Sequence, residues 1–210
     1  MQLRDKLDQG GMLITAWSTS PSEEMAGALA RCPFDTVTVD MQHGAHTEST
    51  AFASARAILA AGKPAILRIP VGRNDLASRA LDMGFEAVIA PMINSVADAR
   101  AFANAMKYPP VGERSWGPMK ALQLHSSYTP ESYFRSANGK TLSLAMIETR
   151  AAFAEIASRA RKAGKFAAVF AVDPADVPGF GKMGYRLAAL NTDPGIIQAG
   201  ATVMLEKARG

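Results

Sequence analysis

Seven short apolar runs, each followed by sequence with helical periodicity, constrain the fold of this chain more than any other feature. The runs are residues 12–18, 34–40, 64–70, 86–93, 141–148, 166–172 and 185–191. They are nearly continuous in apolar residues, which is typical of parallel strands covered by helices on both faces. Because strand and helix patterns alternate along the whole chain, the sequence predicts an α/β protein.

Two α/β architectures fit this alternation, a doubly wound sheet and a (β/α)8 barrel. No GxGxxG follows the first run and the chain contains no P-loop, so a nucleotide-binding sheet would lack its phosphate-binding loop. Polar side chains instead collect at the ends of several runs: Trp17 and Ser18, Asp40 to His43, Arg68, Asn94 and Glu148. A barrel gathers such ends at one mouth, where barrel enzymes place their active sites. We therefore predict a TIM barrel that forms a single domain over residues 1–210.

The number of strands does not complete that barrel, because seven runs are one fewer than it needs. The segment 108–140 is rich in Pro, Gly and Ser and lacks strand periodicity. We expect a long loop there, with a helix near Pro130 to Ala137, and no hidden strand. The missing strand must therefore belong elsewhere in the chain.

Composition and charge narrow the class of partner. The net charge is +4, and Lys and Arg are interspersed with Asp and Glu along the chain, so a nucleic-acid surface is not indicated. The single cysteine, Cys32, excludes an internal disulfide and a cysteine-rich metal cluster. The N-terminal segment lacks the form of a secretory signal, and no apolar run is long enough to span a bilayer. We expect a cytoplasmic protein that binds small molecules.

Two charged residues end apolar runs. Arg68 is either an ion-paired arginine of the barrel or a guanidinium aimed at a substrate carboxylate or carbonyl, which its planar fork matches. Glu148 is a candidate metal ligand, general base or helix cap. A lone charge on an apolar strand is costly to bury without a partner, which favours a function for Arg68.

His43 follows a predicted strand end and is a candidate for proton transfer, provided that a carboxylate orients it. Asp40 and Asp82 are the candidate orienters; Asp82 stands out because an acid in the last turn of a helix opposes the helix dipole. We interpret His46 as a surface or capping residue. His125, in the long loop, is a weaker candidate for the entrance of a site.

Four segments carry a resemblance to one family, and they occur in the family's order: VDMQHGAH, ILRIPVGRNDLASRALDMG, VIAPMINSVADARAFANAMKYPPVGERSWGP and LAMIETR. Together they resemble the HpcH/HpaI aldolases, the metal-dependent class II pyruvate aldolases, from about residue 10 to 153 and again from about 154 to the end. The resemblance implies a (β/α)8 barrel that assembles as a homotrimer or homohexamer, with the last helix exchanged between neighbours.

The resemblance also implies roles for the candidates. Glu148 matches one of two carboxylate ligands of a divalent ion, Mg²⁺, Mn²⁺ or Co²⁺. Arg68 matches the arginine that contacts the keto-acid oxygen and steadies the enolate. His43 matches the histidine of proton transfer, and Asp82 matches its carboxylate. Trp17 and Asp40 match positions that line the substrate pocket.

The activity implied is the reversible cleavage of a 4-hydroxy-2-oxo acid to an aldehyde and pyruvate, or a related 2-oxo acid such as hydroxypyruvate. A divalent ion chelated by the 2-oxo acid would acidify its α-carbon, and Arg68 would add charge stabilisation to the enolate. Two alternatives remain. One is a C–C lyase of the citrate-lyase-β or malyl-CoA type, and the other is a barrel without catalysis that serves as a binding or assembly module.

Three departures from the family pattern stand out. A strand that ends in Gly-Pro-x-Asp, and carries the second metal ligand, is missing where ETRAAF runs directly into AEIASRARKAGK. Either a segment is omitted or it is deleted, and we expect omission because losing one βα unit would open the barrel. Gln42 stands where Glu is usual and Met146 where Gln is common, so both are expected to contact substrate and shift its preference.

Overall fold

The computed structural model describes residues 2–146 and 153–209, in which strands and helices alternate as predicted. The strands are β1 (Leu13–Ser18), β2 (Thr36–Asp40), β3 (Ala65–Arg68), β4 (Ala87–Ala90), β5 (Leu142–Ala145), β6 (Ala168–Ala171) and β7 (Leu187–Thr192). The helices are α1 (Leu3–Asp8), α2 (Glu23–Arg31), α3 (Glu48–Ala60), α4 (Asn74–Asp82), α5 (Val96–Met106), α6 (Met119–Leu124), α7 (Pro130–Lys140), α8 (Phe153–Lys162), α9 (Val177–Met183) and α10 (Asp193–Arg209). Each strand lies within one of the seven apolar runs, apart from the last residue of β7.

Side-chain caps set where several helices begin. Ser22 accepts a hydrogen bond from the Met25 backbone N–H at the start of α2. Thr47 and Thr50 form a reciprocal capping box at the start of α3. These bonds satisfy backbone donors that the first helical turn leaves without partners. The loops after β1 and β2 are thereby fixed at their helical ends.

All seven strands are parallel and form one sheet in the order β5-β4-β3-β2-β1-β7-β6. Alternate side chains face opposite sides of it. The outer face packs against helices through buried residues that include Ala16, Val37, Val39, Leu67 and Val88. The chain therefore has the helix-covered parallel sheet that its apolar runs predict.

The sheet is curled, and the inner face of the curl holds a second core. Inward-facing side chains of five strands pack there with Leu3 and Leu7 of α1, which lies across the end where the strands begin. The indole of Trp17 on β1 meets the ring of Phe170 on β6, two strands away, edge to face at 5.4 Å between centroids. Curling brings these strands together, as in the packed interior of a barrel.

The described strands do not form a closed ring. In the part of the chain that the structure describes, β5 pairs with β4 alone and β6 pairs with β7 alone, so these two strands are the sheet edges. The eighth strand that the apolar runs do not account for would fall between β5 and β6 in chain order. The barrel prediction is thus confirmed as a curled, seven-stranded α/β half-barrel.

The long loop contains more helix than the sequence indicates. The helix predicted near Pro130 is confirmed as α7, but α6 was not predicted because its six residues are too few for clear periodicity. Tyr108, Tyr133 and Ala137 form a small core under this segment. Among the described helices, none combines the length and the hydropathy needed to cross a membrane.

Candidate active site

Three inward-facing side chains lie together where adjacent strands end: Trp17 on β1, Asp40 on β2 and Arg68 on β3. Asp40 and Arg68 are direct partners in the parallel register of β2 and β3, and Trp17 pairs in register with Thr38. All three follow the same alternation that turns apolar residues inward at earlier positions of these strands. The curled sheet therefore places an aromatic ring, a carboxylate and a guanidinium on one inner wall.

The Asp40 carboxylate binds the Arg68 guanidinium through both oxygens. Arg68 Nε donates to Oδ1 at 2.8 Å and Nη2 donates to Oδ2 at 2.5 Å, while Trp17 Nε1 donates to Oδ2 at 3.2 Å. The guanidinium also lies over the Trp17 ring, 4.9 Å from its centroid. Paired, bidentate geometry of this kind fixes the plane and direction of an arginine.

Burial and neighbouring charge shift the pKa of Asp40 in opposite directions. Burial alone would raise the pKa of this carboxyl, but the hydrogen bonds and charge of Arg68, with the Gln42 N–H and the Trp17 indole, hold it below its usual value. Asp40 is therefore ionised at neutral pH, and Arg68 keeps a charged partner. The bonds between the two ions offset the free energy lost when each is removed from water.

The same carboxylate also caps the turn after β2. Asp40 Oδ1 accepts hydrogen bonds from the backbone N–H of Gln42 at 2.9 Å and of His43 at 3.3 Å. Close packing fixes the turn further, because a Cβ on Gly44 would lie 2.3 Å from the Asp40 carbonyl oxygen. The polar end of β2 is thus both a turn cap and one wall of the candidate site.

The three remaining residues of this rim differ in exposure. His43 is exposed, and its backbone rather than its imidazole contacts Asp40. Gln42 is half-buried, and its Oε1 atom is buried without a hydrogen-bond partner among the described residues. Met146 follows β5, packs against the inner core that contains Trp17, and donates its N–H to the Ala90 carbonyl at 2.9 Å. Gln42 therefore has a polar atom left for a ligand or water.

Asp82 does not reach His43 within one chain, contrary to expectation. It ends α4, which runs back from β3 to the start of the parallel β4, so Asp82 and His43 lie at opposite ends of the sheet. Its Oδ1 accepts a 2.6 Å hydrogen bond from Nη2 of the fully buried Arg114 side chain. Burial raises the pKa of Asp82 above its usual value, although the Arg114 bond and charge oppose the shift.

His125 is also at that opposite end. Its Nε2 atom lies 3.1 Å from the Gly84 carbonyl oxygen, beside the start of β4. The weaker prediction that His125 lines the entrance of the site is therefore wrong for residues of one chain. The directions of the helices place both Asp82 and His125 at this end. Grouping residues by chemical type, as the sequence analysis does, takes no account of those directions.

The sequence did not reveal that His46 and Asp193 bond to the residues at the end of β1, next to the candidate site. His46 is buried, with its Nε2 atom 3.2 Å from Ser18 Oγ, so its interpretation as a surface residue is wrong. Burial lowers the His46 pKa, while the Asp193 and Asp40 charges raise it less strongly, so the imidazole is neutral at pH 7. Asp193 accepts hydrogen bonds from the Thr19 N–H and hydroxyl and from the Ser20 N–H. The polar sequence at the end of β7 was the available signal.

Glu148 lies outside the residues that the structure describes. Among the described residues, no three His, Cys, Asp or Glu side chains are grouped so as to hold a metal ion. Asp40 is committed to Arg68, and Gln42 Oε1 offers one neutral oxygen. These residues alone do not fit a divalent ion, which requires several hard oxygen ligands.

The family follows from sequence comparison. A family model described as HpcH/HpaI aldolase/citrate lyase matches residues 13–177. This chain belongs to that family. A relative from Rhizorhabdus wittichii, named hydroxypyruvate/pyruvate aldolase, is 34% identical over 155 residues, which are 74% of this chain and 60% of the relative. A 2-dehydro-3,6-dideoxy-6-sulfogluconate aldolase from Pseudomonas putida is 30% identical over 143 residues, 68% of this chain and 55% of that protein.

The HpcH/HpaI fold is supported by a solved structure as well. The HpcH/HpaI aldolase from Desulfitobacterium hafniense superposes with a TM-score of 0.85 at 18% identity, covering 100% of this chain and 97% of that one. The matched sequence segments span only 55–60% of the two curated relatives' lengths. Within the HpcH/HpaI match lie Trp17, Asp40 and Arg68, the wall of the candidate site.

Proposed function

We propose that this chain catalyses the reversible aldol cleavage of a 4-hydroxy-2-oxo acid to an aldehyde and pyruvate or hydroxypyruvate. The observation that carries the proposal is the Arg68 guanidinium, fixed by Asp40 and Trp17 on the inner wall where the strands end. A relative of the same family bears the name hydroxypyruvate/pyruvate aldolase. An anionic 2-oxo acid is the substrate class that suits a preoriented cation.

Arg68 would stabilise the negative charge that develops on the keto oxygen as the C–C bond breaks. Asp40 takes two of its N–H groups, and the others remain available to substrate. Because Asp40 and the Trp17 ring already hold the guanidinium in place, it need not reorganise during the reaction. Preorganised donors aimed at developing charge are among the largest contributions to catalysis.

His43 is proposed to transfer the proton, since it is exposed on the rim beside Asp40 and free to meet a substrate. Its proposed carboxylate partner, Asp82, would have to come from a second copy of the chain, because the two are at opposite ends of one sheet. That requirement agrees with the proposed homotrimer or homohexamer. Gln42 and Met146 are proposed to contact the substrate and set its preference.

We also propose that the reaction depends on a divalent ion, Mg²⁺, Mn²⁺ or Co²⁺, with Glu148 as one ligand. The proposal comes from the family and from the carboxylate chemistry of Glu148. Such an ion would supply Lewis-acid stabilisation of the enolate. The 2-oxo acid and the aldehyde are the proposed small-molecule partners, and the proposed location is the cytoplasm.

Arg68→Lys, with Arg73→Lys as its control, tests the proposal. Both substitutions keep the charge, but Arg73 is exposed and pairs with Asp75 beyond the site. With pyruvate or hydroxypyruvate, glycolaldehyde and Mn²⁺, Arg68→Lys should lower kcat by roughly 100-fold or more, and Arg73→Lys should leave it unchanged. Equal activity of Arg68→Lys and Arg73→Lys would show that the Arg68 guanidinium does not contribute to catalysis. Wild-type protein that forms no aldol product with any of several aldehydes would overturn the aldolase proposal.

Chelation tests the metal separately. EDTA should abolish product formation by the wild-type protein, and added Mn²⁺ should restore it. The Glu148→Ala variant should form no product even with added Mn²⁺. Activity that survives EDTA would contradict the metal dependence and leave the role of Arg68 standing.

A further inference from the structure

A second concave site lies at the opposite end of the sheet, where β1, β6 and β7 begin. It is a cleft of about 710 Å³ between the loops that precede these strands and the ends of α8 and α9. Strands of four to six residues at about 3.3 Å per residue separate it from the candidate active site by roughly 13–20 Å. The cleft is therefore distinct from the wall of Trp17, Asp40 and Arg68.

The lining of this cleft is strongly basic. Five lining residues are cations and one is an acid: Arg4, Arg161, Lys165, Lys182, Arg186 and Asp8. They come from separate parts of the chain, so their convergence is not visible as a basic run in the sequence. With all of them ionised, the lining carries an excess of positive charge.

Few of these charges are neutralised. Arg4 pairs with Asp8 at 2.9 Å and lies over the Phe166 ring, 5.1 Å from its centroid. Arg186 donates to the backbone carbonyls of Gly11 and Leu7, both at 2.8 Å, which fix its guanidinium without cancelling its charge.

The other three lining cations, Arg161, Lys165 and Lys182, form no ion pair with a residue that the structure describes. The excess charge extends beyond the cleft. Burial lowers the Lys107 pKa to about 8, and the positive charges of Lys165, Arg114 and Arg4 add to that effect.

The local backbone explains how the cations reach one cleft. Gly164 and Gly184, with φ of +65° and +97°, end α8 and α9 in the left-handed conformation that glycine adopts most readily. Each turn is followed by a cation within two residues, Lys165 and Arg186. Cations near a helix C-terminus also stabilise the helix dipole, so a purely structural role is the competing explanation.

We propose that this cleft binds a small polyanion, a molecule with two or more phosphate or carboxylate groups. Arginine forks and lysine ammonium groups are the side chains that recognise both groups. A cleft open to solvent and lined by several uncompensated cations concentrates such anions by its field. The bound molecule would lie at the opposite end of the sheet from the candidate active site.

Calorimetric titration tests this proposal with two probes, inorganic pyrophosphate and citrate, in buffers of matched ionic strength. The wild-type protein should bind at least one of them saturably, and binding should weaken as salt increases. Binding of pyrophosphate alone would identify a phosphate ligand, binding of citrate alone a carboxylate ligand, and binding of both the shared chemistry. Absence of saturable binding to either probe would overturn the proposal.

A matched pair of variants locates the bound anion. Arg161→Ala should weaken binding by roughly tenfold or more, because a direct charge-assisted bond is lost. Lys162→Ala removes the same charge from the neighbouring exposed residue, which does not line the cleft, and should leave the dissociation constant within about twofold. Equal weakening in both variants would show a general field effect and overturn the site.

Thermal melting of the two variants checks the structural explanation. Unchanged binding by a folded but less stable Arg161→Ala protein would mean that Arg161 serves the helix alone, and this too would overturn the site. Retained pyrophosphate binding in Arg68→Lys separates this cleft from the candidate active site.

Discussion

Asp40 and Arg68 form a two-point ion pair across adjacent strands, with distances of 2.8 Å and 2.5 Å between their nitrogen and oxygen atoms. The side chain of Asp40 is 1% exposed and that of Arg68 is 12% exposed, so water cannot replace either partner fully. The stability of the candidate active site therefore depends on keeping both charges.

Asp40→Ala should destabilise the fold by about 3 kcal/mol, because it leaves a largely buried guanidinium unpaired and removes the cap of the turn after β2. Urea unfolding measures this change. The control is Asp75→Ala, which breaks the exposed Arg73–Asp75 pair and should have no measurable effect. Equal midpoints for the two variants would contradict a structural role for the Asp40–Arg68 pair.

Asp193→Ala should cost about 2–3 kcal/mol, since three donors of the loop after β1 lose their acceptor. Burial would raise the Asp193 pKa, but the bonds from Thr19 and Ser20 hold it below its usual 3.8. The ionised carboxylate therefore contributes stability above about pH 3.8, and the contribution is lost as pH falls through the lower folded pKa. Unfolding curves measured from pH 7 to 3 should show the wild-type advantage shrinking toward acid; an advantage that is constant over this range would contradict the assignment.

Glu86→Gln should leave the protein as stable as the wild type or more stable at pH 7. Burial raises the Glu86 pKa above 4.5, against the hydrogen bond that its Oε2 atom accepts from the Leu3 N–H at 2.6 Å. The fold therefore disfavours the ionised form, and wild-type stability should fall as pH rises from 4.5 through the raised pKa. A glutamine oxygen keeps the bond to Leu3 without the charge.

Thermal melts at pH 4 and pH 7 check this prediction, with Glu113→Gln as an exposed control. The stability gained by Glu86→Gln should be larger at pH 7 than at pH 4. If Glu86→Gln loses stability relative to wild type on going from pH 4 to pH 7, the Glu86 charge stabilises the fold and the prediction is wrong.

Lys107→Met should destabilise the long loop by about 1–3 kcal/mol, because buried acceptors lose their donor. Lys107 Nζ donates to the Asn138 carbonyl at 2.8 Å, and to the carbonyl and hydroxyl of Thr141 at 2.5 and 3.1 Å, where α7 ends. Lys120→Met, an exposed change in the same segment, is the control. Urea unfolding compares the two, and a smaller loss for Lys107→Met than for Lys120→Met would contradict this role.

The Lys107 effect should also depend on pH. Burial lowers the Lys107 pKa from its usual 10.5 to about 8 in the fold, so the unfolded chain binds the proton more tightly between these values. Wild-type stability relative to Lys107→Met should therefore rise as the pH increases through this window.

The local part of the fold was predictable from sequence. Continuous apolar runs located all seven strands of the described chain, and the helix expected near Pro130 to Ala137 is α7. Arg68 was predictable as an inward-facing charge because it continues the alternation of β3. These predictions depend on patterns within a few residues, which the sequence displays directly.

The remainder depends on contacts between distant residues. Thr19 and Asp193 are 174 positions apart, and Asp82 meets Arg114 only because the long loop folds back over α4. Asp40, a candidate from the sequence, bonds both the turn after β2 and the Arg68 guanidinium, and the sequence alone does not show this double role. Residue type marked the candidate carboxylates, but helix direction and the path of the long loop decided their partners.

The strand order has a consequence for how the chain acquires its structure. β1 to β5 are neighbours in chain order, whereas Leu13 of β1 pairs with Leu187 of β7. Closing so long a loop is costly in entropy, so contacts of this kind form late and slow the folding of a chain. We expect β1 to β5 to gain amide protection first during refolding, which pulsed hydrogen exchange can measure. The β6–β7 pair would then join β1, and Asp193 would bond to Thr19 in the final closure.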